Sequence, residues 1–154
     1  MTVRPATAAD LGEVVACVNA AYDKYVPRIG RKPAPMLADY PTLLGNGCVH
    51  VAVTEKGIVG IIVMWAEDDH WYIDNIAVRP DVQGEGVGKT LLDAAEAAAR
   101  RNGCGELRLY TNEAMTDNLD YYPRRGFIET HRSSESGYRR VYYSKVLAQE
   151  ARGD

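Results

Sequence analysis

Cysteine is scarce: Cys17, Cys48 and Cys104 stand far apart in 154 residues, and no two form a CxxC pair. With three histidines and no ligand-like spacing among them, no metal is expected. Separated thiols fit a reducing cytoplasm, where they act as small buried or half-buried side chains. An apolar signal core is missing from MTVRPATAAD, so secretion is not expected. The longest apolar run, IVGIIVMWA, is far too short to span a bilayer. A basic excess is also lacking. The net charge is −3, which disfavours broad contact with nucleic acid.

What is present is an ordinary globular balance, 46% hydrophobic and 25% charged, in a length that suits one domain over residues 1–154. TVRPA reads as a short strand. TAADLGEVVACVNAAYDKY reads as a helix, with Leu11, Val14, Val15, Val18, Tyr22 and Tyr25 at helical spacing and Thr7 and Asp10 at capping-box spacing. An irregular basic loop follows, then a short helix around Leu37 to Leu44. CVHVAVT and IVGIIVMW form a hairpin across EKG, and WYIDNIAV is the next strand. GKTLLDAAEAAARRNG is a strong helix with its stop at Asn102-Gly103. ELRLYT is a strand, MTDNLDYYPRR a short helix that Pro123 is expected to disturb, and GFIET and GYRRVYYSKVL closing strands. The order predicts an α/β fold: a mixed central sheet of six to seven strands flanked by about four helices. Parallel pairing is expected between IDNIAV and ELRLYT, across the long helix.

QGEGVGKTLL carries the chemistry. Its GKT imitates a nucleotide-binding phosphate loop, but the first glycine of that loop would stand at position 83, which is Gln83. A Rossmann loop would need glycine at 89, which is Lys89. Glycines at 84, 86 and 88 still open a helix just after a strand. Unpaired amides and the helix dipole make such a turn an anion site, usually for phosphate. The plainer alternative is a turn that only lets helix and strand pack closely.

VRPDVQGEGVGKTLL resembles the acyl-CoA motif of the GCN5-related N-acetyltransferases, [QR]-x-x-G-x-[GA], here Gln83-Gly84-Glu85-Gly86-Val87-Gly88. VRPATAADLGEVVACVNAAY, IDNIAV, YTNEA and LDYYPRRGF resemble that family's first strand and helix, fourth strand, fifth-strand end and Tyr-x-x-x-Gly-Phe segment, in the same order. The resemblance implies an N-acetyltransferase. It would move the acetyl group of acetyl-CoA, as cosubstrate, to a primary amine of a small molecule or peptide by direct attack in a ternary complex. It places the pyrophosphate on residues 83 to 89, including Glu85 and Lys89, and the pantetheine arm along Ile76, Ala77 and Val78. Asn112 and Asn118 would approach the pantetheine or diphosphate. Alternatives are a non-catalytic acyl-CoA-binding module and a nucleotide hydrolase; Gln83 and the lack of a magnesium-binding Asp stand against the latter.

The transfer needs a neutral amine, a donor for the oxyanion and a proton or hydrogen bond for the leaving thiolate. By resemblance Tyr122, four residues before Gly126, serves the thiolate; otherwise it is a core tyrosine, a role that suits Tyr121 better. Full transfer from a phenol near 10 to a thiolate near 8.5 is uphill by about 2 kcal/mol, so hydrogen-bond donation suits Tyr122 best. Alternation predicts Tyr72, Asp74, Ile76 and Val78 on one side of their strand. Asp74 is then the candidate base, directly or through water, an ammonium-binding group, or a plain strand carboxylate. The acceptor side would hold Tyr22, Tyr25, Arg28, Arg31, Lys32 and Tyr72, with SSESGYRR at its border. Aromatics with arginine suit a carboxylate or phosphate, or are core plus solvated charge. A homodimer is expected through the tyrosine-rich last strand, read as a sheet edge.

Overall fold

A computed structural model describes residues 1–148. The chain runs β1 (Thr2–Pro5), α1 (Leu11–Tyr22), α2 (Val26–Ile29), α3 (Tyr40–Gly45), β2 (Val49–Thr54), β3 (Gly57–Ala66) and β4 (Trp71–Val78). It continues through α4 (Val87–Arg101), β5 (Glu106–Asn112), α5 (Thr116–Arg124), β6 (Ile128–Glu135) and β7 (Tyr138–Val146). The seven strands form one sheet in the order β1-β2-β3-β4-β5-β7-β6. Only β4 and β5 pair parallel; the other neighbours are antiparallel. The α/β class and the mixed sheet are as the sequence predicts. No helix among the described residues is long and apolar enough to cross a membrane.

Each face of the sheet carries its own core. On one, α4 buries Val87, Leu91, Leu92, Ala95, Ala98 and Ala99 against Ile62, Ile73 and Leu107. On the other, α1 buries Val14, Cys17 and Val18 against Val51, Ile61 and Val63. Helix α4 approaches β3 so closely that a Cβ on Gly60 would lie 2.7 Å from Val87 Cγ1 and 3.1 Å from Leu91 Cδ1. The Thr7–Asp10 capping box forms, with the Thr7 amide donating to Asp10 Oδ2 at 2.8 Å. Arg4 clamps the same carboxylate and holds it down to about 2.

Three expectations are corrected. Pro123 does not end its helix at Tyr122: α5 continues to Arg124, and the amides of Arg125, Gly126 and Phe127 close its last turn on the Tyr122 and Pro123 carbonyls. The tyrosine-rich last strand is not an edge. It lies between β5 and β6, so its tyrosines are already flanked, and β6 with Thr130, His131 and Arg132 is the outer strand.

The third correction bears on the site. Met64 pairs with Ile73 and Val63 with Asn75, so Asp74 is an extra residue with no partner on β3. This β-bulge reverses the alternation beyond it. Ile73 belongs to the α4-side core, but so do Ile76 and Val78, while Asn75 and Ala77 face α1. Asp74 therefore does not share a face with Ile76 and Val78.

Candidate active site

Strands β4 and β5 pair through Trp71, Tyr72 and Ile73 on one side and Leu107, Arg108 and Leu109 on the other, and then part. Two cavities open along the gap. One, about 400 Å³, is lined by Ala77, Val78, Gln83, Gly84, Gly86 and Lys89, among others. The second, about 240 Å³, takes in Asp74, Asn75, Tyr110, Asn112, Tyr138 and Arg140. Tyr22, Ile76, Asn118 and Tyr122 line both and form the shared wall.

The larger cavity is built around the glycine turn. Gly84 and Gly86 have φ of 85° and 86°, a left-handed backbone that glycine adopts without strain. Gly86 caps α4, and the first bond there runs from the Thr90 amide to the Gly86 carbonyl at 3.0 Å. The amides of Val87, Gly88 and Lys89 precede it and remain donors for a ligand. The Thr90 hydroxyl is tied to the Gly86 carbonyl at 2.9 Å, and Lys89 pairs with Asp93 at 3.0 Å. GKT is thus a helix cap rather than a magnesium and γ-phosphate clamp. Glu85 is exposed and outside the lining.

The sequence reading missed three neighbours of this turn. A Cβ on Gly88 would lie 2.7 Å from the Tyr121 hydroxyl, so Tyr121, read as plain core, packs on the loop itself. Arg125 lies 4.9 Å over the Tyr121 ring, and both line the cavity, as does Lys24. Arg125 follows the helix by one residue, and no spacing rule pointed to it. Lys24, Lys89 and Arg125 outnumber the one acid in the lining, Asp117, which pairs with Lys24 at 3.8 Å; with the open amides they give a positive concavity that fits a diphosphate. Strand backbone left unpaired by the parting of β4 from β5 fits an extended amide arm.

Tyr122 is 8% exposed, in edge contact with Tyr121 and Phe127. Burial pushes its hydroxyl well above the ordinary value near 10, so it keeps its proton and serves as a donor. No hydrogen bond from that hydroxyl is formed among the described residues. Asn118 donates to Thr111 Oγ1 at 3.0 Å. Asn112 lies apart from the glycine turn, in the smaller cavity, where its Oδ1 accepts from the Ala114 amide at 2.9 Å.

On the other side of the wall, burial raises the Asp74 carboxyl above its ordinary range, against the opposing pull of the Tyr72 hydroxyl and Arg140. Tyr72 lies between the tilted rings of Trp65 and Tyr110 and lines neither cavity. Tyr25 turns to the larger cavity, and Arg28 is exposed over the Tyr25 ring. Of the acceptor candidates on the first helices, only Tyr22 reaches the smaller cavity. Its hydroxyl lies 2.5 Å from Asn75 Oδ1 and 2.7 Å from the Ile76 carbonyl. Asn75 Nδ2 donates to the Tyr40 hydroxyl at 3.0 Å, which donates to the Pro35 carbonyl at 2.6 Å. The SSESGYRR border is present through Tyr138 and Arg140. Among the described residues no group of three or more His, Cys, Asp or Glu is placed to hold a metal ion.

Comparison with known proteins bears on the family and the fold. The Acetyltransferase (GNAT) family matches residues 14–127. A Bacillus subtilis (strain 168) protein, provisionally named a ribosomal protein bS18-alanine N-acetyltransferase, is 29% identical over 107 residues, 68% of this chain and 67% of its own. A Rhodopseudomonas palustris structure, described as a GCN5-related N-acetyltransferase (aminotransferase, class II), has a TM-score of 0.79 at 22% identity, covering 95% of each chain. The PaiA N-acetyltransferase of Thermoplasma acidophilum, solved with coenzyme A, has a TM-score of 0.75 at 16% identity, covering 95% of this chain and 98% of its own. At those identities the two structures speak for the fold. The chain belongs to the Acetyltransferase (GNAT) family and is an acetyl-CoA-dependent N-acetyltransferase.

Proposed function

We propose that this single-domain enzyme transfers acetyl to a primary amine by direct attack in a ternary complex. The observation that carries the reading is the shared wall. Two cavities meeting at Tyr22, Ile76, Asn118 and Tyr122 let donor and acceptor be seated together. Three free thiols, one of them buried, accord with a cytoplasmic setting.

The open amides of Val87, Gly88 and Lys89 hold the diphosphate, with Lys24, Lys89 and Arg125 adding positive potential. The backbone of Ile76, Ala77 and Val78 aligns the pantetheine arm, and Asn118 closes the wall beside it. When bound, acetyl-CoA supplies a thioester-activated acetyl group. An N–C bond forms as the C–S bond breaks; the amine loses one proton and the sulfur gains one. Asp74, held above the usual carboxylate range by burial, receives the amine's proton directly or through water. Tyr122 donates a hydrogen bond to the departing sulfur. Its raised hydroxyl favours donation over early proton loss. Tyr22 and Tyr72 position Asn75 and Asp74.

The test has two stages. Acetyl-CoA at about 100 times its Kd adds about 2.7 kcal/mol of stability, a visible thermal shift, and ATP with magnesium should give none. Thiol release over an amine panel then tests transfer. Tyr122→Phe is expected to lower kcat about 100-fold with the acetyl-CoA shift unchanged. Stabilisation without thiol release from any amine would leave an acyl-CoA-binding module instead.

A further inference from the structure

Asp74 and Arg140 are the two charged side chains that line the smaller cavity. They come from β4 and β7, with β5 between them. Arg140 stands opposite Asn112 in register, and its guanidinium carbon lies 4.3 Å over the Tyr110 ring centroid. The side chain is only 16% exposed. Its Nη1 donates to Glu135 Oε2 at 2.8 Å, and the Tyr142 hydroxyl lies against it. A guanidinium carries five N–H donors, so these two partners leave donors for a ligand in the cavity it lines. Packing over Tyr110 restrains the guanidinium, and such a fork suits a carboxylate.

The cavity walls are joined to each other. The Tyr138 hydroxyl donates to the Lys32 carbonyl at 2.8 Å. Arg31 lies 3.7 Å over the Tyr138 ring and donates to the Ser136 carbonyl. These ties bind the β6–β7 hairpin to the loop of Pro33, Ala34 and Pro35, which lines the same cavity. A ligand inside meets one acid, one guanidinium and a tied wall.

We propose that the acceptor is a small aminocarboxylate, with its carboxylate on the Arg140 fork and its amine between Asp74 and the shared wall. The assignment rests on the acetyl-transfer reading above. A diamine would set a second cation against Arg140. A peptide N-terminus has lost its first carboxylate to the peptide bond and leaves the fork without an anion.

The experiment pairs each acid with its primary amide: glycine, β-alanine, γ-aminobutyrate and L-alanine, together with an alanyl peptide and a simple diamine. Thiol release at saturating acetyl-CoA gives kcat/KM for each. At least one acid is expected to exceed its amide by about tenfold or more, the scale of one desolvated charge pair. The chain length that wins reports the span from fork to amine. Arg140→Gln should bring that acid-to-amide ratio towards one, with Arg140→Lys between, while the acetyl-CoA thermal shift of both variants matches the parent. Amides, peptide or diamine reacting as well as the acids would overturn the assignment and leave the transferase reading standing. Thiol release from none of them would overturn both.

Discussion

The hydroxyl of Tyr22 lies 2.7 Å from the carbonyl oxygen of Ile76, on the strand that walls both cavities. The same hydroxyl faces Asn75 Oδ1 at 2.5 Å, so one proton serves two acceptors. The amide of Asn75 cannot turn to help without giving up its bond to Tyr40. Tyr22→Phe strands both acceptors in a buried setting. The expected loss is about 1–3 kcal/mol, and at about 2–4 °C per kcal/mol a thermal melt reads it directly. An unchanged melting point would mean that the network adds little to stability.

Asp74 should separate stability from activity. Its folded carboxyl titrates above the ordinary 3.8, so the folded protein holds this proton more tightly than the unfolded chain does. At neutral pH the charged form therefore costs stability, and the cost fades as pH falls through the folded value towards 3.8. Asp74→Asn is expected to raise the melting point at pH 7, with the gain gone near pH 3.5. It should also lower kcat/KM and remove the Asp74 step from the acid side of the rate profile, leaving the limb set by the amine's own ionisation. A variant that melts lower at pH 7 would contradict the assignment of burial as the dominant influence.

Gly88→Ala sets a methyl 2.7 Å from the Tyr121 hydroxyl, at a helix position where alanine is otherwise preferred. Melting should hold or rise while acetyl-CoA affinity falls, by about tenfold. Tyr121→Phe removes the clashing oxygen, so the double variant should recover most of the affinity. Calorimetric titration of the four proteins gives the coupling.

Gly60→Ala is the contrasting case. Its Cβ would meet Val87 and Leu91 side chains and the Ala77 carbonyl at 3.3 Å, with no free side-chain end to swing away. Overpacking of this kind costs about 1–3 kcal/mol. The melt should drop accordingly. Val87 is the first residue of α4, so acetyl-CoA affinity should drop with it.

The glycine turn, the long helix and the parallel pair were legible because each depends on neighbours in sequence: φ freedom at 84 and 86, apolar spacing from Val87 to Ala99, and a helix between two strands. The bulge was not. Asp74 is the extra residue only because β3 pairs Met64 with Ile73, a match between strands that local alternation does not contain. Arg140 illustrates the same limit. SSESGYRR was recognised as a border, but its arginine reaches the cavity because β7 inserts between β5 and β6. Pro123 differs in kind: its lost bond is offset by contacts from beyond the helix, the Phe127 amide on the Tyr122 carbonyl and the Phe127 ring against Tyr122.

The short β4–β5 seam has a mechanical consequence. Three paired positions join β1–β4 to β5–β7 in that ladder, and beyond Ile73 and Leu109 the rungs are missing among the described residues. On the α4 side the two panels still share one core, in which Ile73, Leu91, Leu107 and Leu109 are buried together. A molecule laid in that gap would add the rungs the strands lack, so part of its binding free energy would go into bracing the seam. Binding would then register as added protection of the β4 and β5 amides from exchange, a readout that needs no turnover.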